Sequence, residues 1–486
     1  MVNFRQTATP TPNVGERRSL SPIEKIATEI LSTIFIMCRD DIFHDEDLYP
    51  VSTLDPRQAP LVLCHISSTL RNVARGTPLL WDTVSLHTTD LLSDKKMAAV
   101  RVLLGQSGNL PLTVDVIRVR SAPALASERL NTQFLPRIWE FLGRIQSLFL
   151  DISSQDIDLD SSGLPSSSSL VALRSLDIRM RGSGESGDSA TPVLPAFLRF
   201  FRDAPSLRTL RLAGWLGRSA AEHMSHIFTA IFFPWQSLTN FISIVPCTTI
   251  AARDVLRLCP VLEVCEIANI DELDVHSQPV PCALHHVRSL RLSATGDRPF
   301  TGFFESFSFP KMLDLTLDPF VAPAHSLVEL QHRSQFQLKR LHISGPRSTA
   351  TELIELLRVL PNLEILILSQ CDASGELYKA FIYHGLVASS SLSLTHLMQL
   401  TIEENFFALR WNGLHVVDNA APIAEMAASV AQYRDRDNLC FPSLEIVDLY
   451  LEGPKFDSDV ENLLAVASST GYVVDHLAAE RGGGDG

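Results

Sequence analysis

The chain has 486 residues, several times the length of a typical single domain, so it is multidomain or built from repeats, and a small disulfide scaffold is excluded. With 45% hydrophobic and 20% charged residues it carries enough apolar surface for an extended core and lies outside the composition of disordered chains. Its 41 Lys and Arg against 55 Asp and Glu give a net charge of -14, which opposes a general electrostatic grip on nucleic acid or on anionic lipid.

Residues 1–18 are polar, lack the apolar run of a secretory signal and read as a disordered tail. Ser21-Pro22-x-Glu24 is a helix start, after which Ile26, Ile30, Leu31, Ile34 and Phe35 recur at three- and four-residue steps and predict one amphipathic helix. Asp40 to Asp47 packs five acids into eight residues close to Pro50, Pro56 and Pro60, which reads as a solvated acidic insertion over 39–58. Leu63, Ile66, Leu70 and Val73 then repeat the helical spacing, and Thr77-Pro78-Leu79-Leu80-Trp81 closes an all-helical domain over 19–82. Residues 83–140 read as a helical and strand linker that caps the next region.

Beyond that point the pattern apolar-x-x-apolar-x-apolar recurs. Its first anchors are Ile145, Leu173, Leu207, Leu238, Leu262, Val287, Met312, Leu338, Leu363, Leu397 and Leu444, the Leu238 copy being degenerate. The steps between them are 28, 34, 31, 24, 25, 25, 26, 25, 34 and 47 residues. The end of each copy alternates with the period of a strand, and the intervening segments, such as Ala220 to Phe233 and Glu352 to Leu360, carry helical spacing. Ser219 with Glu222, Thr349 with Glu352 and Ser458 with Glu461 have the spacing of reciprocal helix starts. Proline stands two residues before the anchor at Pro205, Pro260, Pro310, Pro361 and Pro442, where it ends one helix and sets the chain extended for the strand. One such unit cannot bury its apolar face alone, but parallel stacking of the strands makes one continuous core. The fold expected over 141–475 is therefore an α/β solenoid with strands on one face and helices on the other, followed by a flexible tail over 476–486. Serine-rich Ser153 to Ser169 and glycine-rich Arg181 to Thr191 read as surface loops within repeats.

These units resemble leucine-rich repeats, although Ser293, Ser344 and Cys371 stand where that family usually places asparagine. The helical head resembles the F-box, in particular the F-box-like domains of fungal leucine-rich repeat proteins, through Ile26 to Phe35, Leu61 to Ala74 and Thr77 to Trp81; it departs from the family at Ala27, Ser67 and Leu70. Leu91 to Leu104 followed by Gly105 to Val114 is similar to the helix, turn and strand that link head to repeats in such proteins. The resemblance implies a substrate-recognition subunit of an SCF-type ubiquitin ligase, whose F-box docks on a Skp-type adaptor of a cullin-based ligase while the repeats hold a protein substrate. The adaptor-binding residues it implies are Ile26, Glu29, Ile30, Leu31, Ile34, Phe35, Leu63, Ile66 and Leu70. An alternative is a repeat interaction scaffold outside ubiquitin chemistry, with a degenerate head that only packs on the first repeat.

Residues at the middle of each strand alternate away from the apolar positions and face outward. Among them Arg211, Glu266, Arg291, His342, Ile367 and Thr401 are the expected substrate-binding set, and their mixed charge suits a protein partner better than a polyanion. Catalytic chemistry finds no support. Gly182-Ser-Gly184-Glu-Ser-Gly187 satisfies a dinucleotide-binding spacing, but Glu185 and Asp188 would repel a pyrophosphate and Pro192 and Pro195 delay the helix that should supply amides. His223 and His226 supply only half a metal site, and the eight cysteines contain no Cys-x-x-Cys pair, so neither a metal nor a cofactor is expected. No apolar run reaches the roughly 20 residues that span a bilayer, and the expected location is the cytoplasm or nucleus with reduced thiols.

Overall fold

The computed structural model of the chain describes residues 22–40, 52–118, 138, 140–153, 170–181, 197–215, 233–271, 281–294, 303–318, 324–344, 350–369, 394, 396–405, 446–452 and 473–475. The acidic run after Asp40, the glycine-rich segment at 182–187, the pair His223 and His226 and the helix expected over Ala220 to Phe233, save Phe233 itself, lie outside them. The chain divides into two compact units, Met1–Val119 and Arg120–Gly486, so the boundary falls inside the stretch expected as a linker.

In the first unit, α1 (Thr28–Asp40), α2 (Leu61–Ile66) and α3 (Ser68–Arg75) lead through a 3-10 turn (Pro78–Leu80) to β1 (Thr83–His87), α4 (Thr88–Leu92), α5 (Asp94–Gln106) and β2 (Leu112–Ile117). Three expectations change here. The helix expected to start at Ser21 is instead a short 3-10 segment over Pro22–Lys25 followed by α1 from Thr28, so Ile26 lies before the α-helix. The helical spacing from Leu63 to Val73 is carried by two helices, because Ser67 adopts an extended conformation and its hydroxyl accepts the Leu70 amide at 3.2 Å, which starts α3 afresh. Ser93 likewise accepts the Lys96 amide and splits the helix expected over Leu91 to Leu104 into α4 and α5. β1 pairs in parallel with β2 from Thr83↔Thr113 to His87↔Ile117, so the linker contains a strand-helix-strand unit of its own.

The small core of this unit gathers Leu31 and Phe35 of α1, Leu63 of α2, Leu70, Val73 and Ala74 of α3, and Leu80 and Trp81. Polar contacts fix the turn that closes it. The Trp81 indole donates to the Ala74 carbonyl at 2.8 Å, Ser32 and Thr77 share a hydrogen bond at 2.9 Å, and Arg39 reaches both the Leu79 carbonyl and Asp82. The end of the insertion expected over 39–58 is not solvated throughout: Ser52 and Thr53 are buried, and Thr53 donates its amide to the Ser85 carbonyl of β1 while its hydroxyl accepts the Ser85 amide, both at 2.8 Å. Beside it, Asp90 accepts hydrogen bonds from Ser52, Lys96 and the His87 amide.

The second unit is a mixed α/β structure dominated by one parallel sheet. Its strands follow one another in chain order: β3 (Ile145–Ser153), β4 (Ser175–Arg181), β5 (Thr209–Trp215), β6 (Asn240–Ser243), β8 (Val264–Asp271), β10 (Ser289–Ala294), β12 (Asp314–Asp318), β13 (Arg340–Ser344), β14 (Ile365–Ser369), β15 (Gln399–Asn405), β16 (Ile446–Glu452) and β17 (Val473–Asp475). The two-residue β7 (Cys247–Thr248) pairs beside β8, and β9 (Cys282–Ala283) pairs with β11 (Phe307–Ser308) as a separate ribbon. This sequential parallel order is what a solenoid-like stack of strand-helix units produces. The degenerate copy at Leu238 is a full member, since β6 bridges β5 and β8.

Register keeps like with like. Leu148, Leu176, Leu210, Phe241, Cys265, Leu290, Leu315, Leu341, Leu366 and Leu400 form one buried row across the sheet. A second row runs Leu150, Ile178, Leu212, Ser243, Ile267, Leu292, Leu317, Ile343 and Leu368, with Ser243 the single polar member, fully buried and with its hydroxyl unpaired. In the next inward position Gly214 follows Met180 with φ of 150°, and a Cβ there would collide with the Met180 carbonyl.

The helices α6 (Thr249–Leu258), α7 (Ala324–Ser334) and α8 (Ala350–Arg358) lie between successive strands in the chain, and α7 packs against α8. α6 and α8 stop just before Pro260 and Pro361, as their sequences indicate. α7 has Phe336 where its neighbours have proline, and ends instead on Gln335 in the left-handed region, φ 51°. Asparagine, expected to be mostly replaced after the strands, does appear at Asn269, whose left-handed backbone forms a bulge in β8 and whose side chain donates to the Ile244 carbonyl of the preceding unit at 2.8 Å. Among the described residues no helix is long and apolar enough to cross a membrane.

Candidate functional site

Two surfaces carry the residues singled out from sequence. On α1 the apolar residues divide into opposite sets. Leu31 and Phe35, four residues apart, point into the head core at 2% and 3% exposure. Ile30 and Ile34, each one position earlier, lie about 100° round the helix and are 55% and 40% exposed. Ile26 before the helix and Met37 near its end extend the exposed stripe, and Glu29 and Thr33 flank it. Such a stripe has no role in holding the head together, because α1 packs on α3 and on the 3-10 turn through its other side. The stripe is an apolar surface that nothing in the head core covers, which makes it the candidate contact face of this unit.

The structure therefore splits the expected adaptor set. Ile26, Glu29, Ile30 and Ile34 are exposed and share α1 with Met37, which the sequence reading had not included. Leu31, Phe35, Leu63 and Leu70 are corrected to core positions: each amphipathic helix must bury one side to fold, and α1 buries Leu31 and Phe35, α2 Leu63 and α3 Leu70 in one shared core, at 2%, 3%, 8% and 0% exposure. Ile66 is 61% exposed, at the last position of α2, a helix that packs on α3.

On the second unit, the outward middle positions form one unbroken file. Phe149, Asp177, Arg211, Ile242, Glu266, Arg291, Thr316, His342, Ile367, Thr401 and Asp448 are in register from β3 to β16. All six expected substrate-binding residues stand in it. Their exposure differs. Arg291 is exposed, Arg211, Glu266 and His342 are partly exposed, and Ile367 and Thr401 are corrected to buried positions at 9% and 4%. Ile367 is hemmed in between His342 and Thr401 on its two neighbouring strands, and the adjacent outward Ser344 and Ser369 are buried too. His342 is tied to the Ser369 hydroxyl at 3.0 Å. The accessible part of the file is thus the stretch from Phe149 to His342.

Charge along that stretch is paired across strands. Arg211 lies 3.9 Å from Asp177 and Arg291 3.7 Å from Glu266. At those distances, and with solvent access, each pair contributes little to stability. Burial pushes the Asp177 carboxyl above its usual value even though Arg211 and Arg179 oppose the shift, and the same holds for Asp314 against Arg340 and His342. Arg179 stacks over the Phe149 ring with its guanidinium carbon 5.0 Å from the centroid.

Among the described residues no cluster of His, Cys, Asp or Glu has the arrangement of a metal site. Cys247, Cys259 and Cys265 are buried thiols pushed up by desolvation, to about 12 for the first two. A comparison of the chain with protein-family models finds no match, and a comparison with curated proteins finds none either.

Proposed function

We propose that the protein is the substrate-selecting subunit of an SCF-type ubiquitin ligase, with an F-box-like head that docks on a Skp-type adaptor and a leucine-rich repeat solenoid whose strand face holds the protein to be modified. The observation that carries this reading is the two-sided helix α1: one side builds the head core and the other presents Ile30, Ile34 and Met37 to solvent, with Ile26 just before the helix extending the stripe. Covering a fully exposed side chain of this size contributes about 1.5–3 kcal/mol, so these half-exposed residues together offer roughly 3–6 kcal/mol toward a complex. The sequential parallel strands place a long file of outward residues on one side of the second unit, a layout suited to holding a protein. Ubiquitin transfer itself would be the work of the ligase partners.

The test is co-purification of the full chain with a Skp-type adaptor. The wild type should retain the adaptor, the pair Ile30→Asp with Ile34→Asp should lose it, and Thr33→Asp on the flank should lose less. Failure of the wild type to retain any adaptor, or undiminished retention by the isoleucine pair, would overturn the reading.

A further inference from the structure

We propose that the β3–β5 end of the strand face is a clamp for a carboxylate of an acidic peptide segment, formed by Arg179 and Arg211 around Asp177 and braced by Phe149. The inference rests on the reading of the strand face as the partner-holding surface and names the chemistry of what it holds. Register sets the geometry. Phe149, Asp177 and Arg211 occupy one outward row on β3, β4 and β5, and Arg179 occupies the next outward row, opposite Asp151 and Ala213. Arg211 reaches Asp177 from the neighbouring strand β5, whereas Arg179, two residues on along β4, leans over Phe149 of β3, and both guanidiniums act on the Asp177 carboxylate electrostatically.

That carboxylate does not satisfy them. The Arg211 Nε to Asp177 Oδ2 distance of 3.9 Å is too long for a hydrogen bond, and Arg211 Nε and Asp177 Oδ1 are both buried without a hydrogen-bond partner, while the Arg211 side chain as a whole is 40% exposed, so a ligand would be met by the terminal nitrogens of the guanidinium and not by Nε. Arg179 is exposed, and stacking on Phe149 holds its planar fork in a fixed attitude. Each guanidinium has five donors, and a carboxylate accepts two of them side by side. A second carboxylate placed between the two arginines would meet more donors than Asp177 engages. Small side chains leave room for it: Ser175 and Thr209 flank one side of the row and Ala213 the other. The two arginines stand beside the carboxylates of Asp177 and Asp151 in a chain of net charge -14, so binding depends on the short-range donor geometry and not on a net positive charge of the patch or on the field of the whole molecule. At roughly 0.15 M ionic strength the Debye length is about 8 Å, and distant acids are screened.

The experiment is fluorescence anisotropy of the full chain, without adaptor, against labelled tetraglutamate, tetraglutamine and tetralysine peptides. Tetraglutamate should bind at least tenfold more tightly than the other two. Arg179→Ala and Arg211→Ala should each weaken it about tenfold, Arg179→Lys should restore only part of the loss, and Arg291→Ala, on β10, should leave it unchanged. Asp177→Asn removes the competing carboxylate and should tighten binding several-fold, a gain that a purely structural role for Asp177 does not produce. The proposal is overturned if the three wild-type affinities are equal, if neither alanine variant weakens binding while circular dichroism is unchanged, or if Asp177→Asn weakens it. Because no adaptor is present, this result stands apart from the co-purification test: loss of adaptor binding with peptide binding intact removes the ligase reading alone.

Discussion

The division of α1 into a buried and an exposed side makes a quantitative prediction about two adjacent residues. Phe35 is 3% exposed in the head core and Ile34 is 40% exposed beside it. Truncating a buried Phe to Ala costs about 3–5 kcal/mol through lost transfer energy and the cavity left behind. Truncating Ile34 removes side-chain atoms that are already largely in water, and alanine is the better helix former by a few tenths of a kcal/mol, so the net change should stay below about 1 kcal/mol. The assay is hydrogen exchange of peptides covering α1 and α3. Since about 1.4 kcal/mol is a factor of ten, Phe35→Ala should lower protection by roughly 100-fold or more, whereas Ile34→Ala should change it less than about fivefold. Equal losses in the two variants would show that the stripe is covered within the folded chain and would refute the assignment of its role.

Three further outcomes follow from the same geometry. Gly214→Ala forces a Cβ against the Met180 carbonyl at a φ of 150°, and should destabilise the second unit by about 3 kcal/mol or more, seen as a lower urea midpoint; an unchanged midpoint would contradict the tight β4–β5 approach. Cys247 and Cys259, with thiols near 12, should resist N-ethylmaleimide at pH 8 for as long as the chain is folded and react once urea unfolds it, whereas labelling in the native protein would contradict their burial. For Asp90, burial pushes the carboxyl up, but hydrogen bonds from Lys96, Ser52 and the His87 amide outweigh it and hold the group below its ordinary value. A depressed value means a contribution to stability that is present above the unfolded value of about 3.9 and is lost as pH falls through the folded one. Asp90→Asn should therefore flatten the acid limb of the stability profile of the first unit, and an identical profile in the variant would refute the clasp.

Much of the fold was legible because register and periodicity are properties of the sequence. The apolar rows and the outward file were countable from the spacing of Leu173, Leu207, Leu262 and their successors, and the same spacing placed Arg211, Glu266 and Arg291 side by side. The breaks at Ser67 and Ser93 were less legible, since a serine inside an apolar period is read as a helical residue until its hydroxyl is seen to accept an amide. Periodicity also identifies which residues of α1 are apolar without saying which of two adjacent stripes faces inward. Leu31 and Phe35 were therefore grouped with Ile30 and Ile34, although only the latter pair is open. At the other surface, burial of Ile367 and Thr401 depends on what surrounds β14 and β15, which strand alternation alone does not encode.

Cys38 gives the most direct measurement of where a Skp-type adaptor would sit. It is exposed on α1 next to Met37, at the border of the isoleucine stripe. Its rate of reaction with N-ethylmaleimide, followed by mass spectrometry of the peptide that contains it, should fall at least tenfold when the adaptor is bound. A complex that forms while Cys38 reacts at its free rate would place the docking face elsewhere and contradict the account.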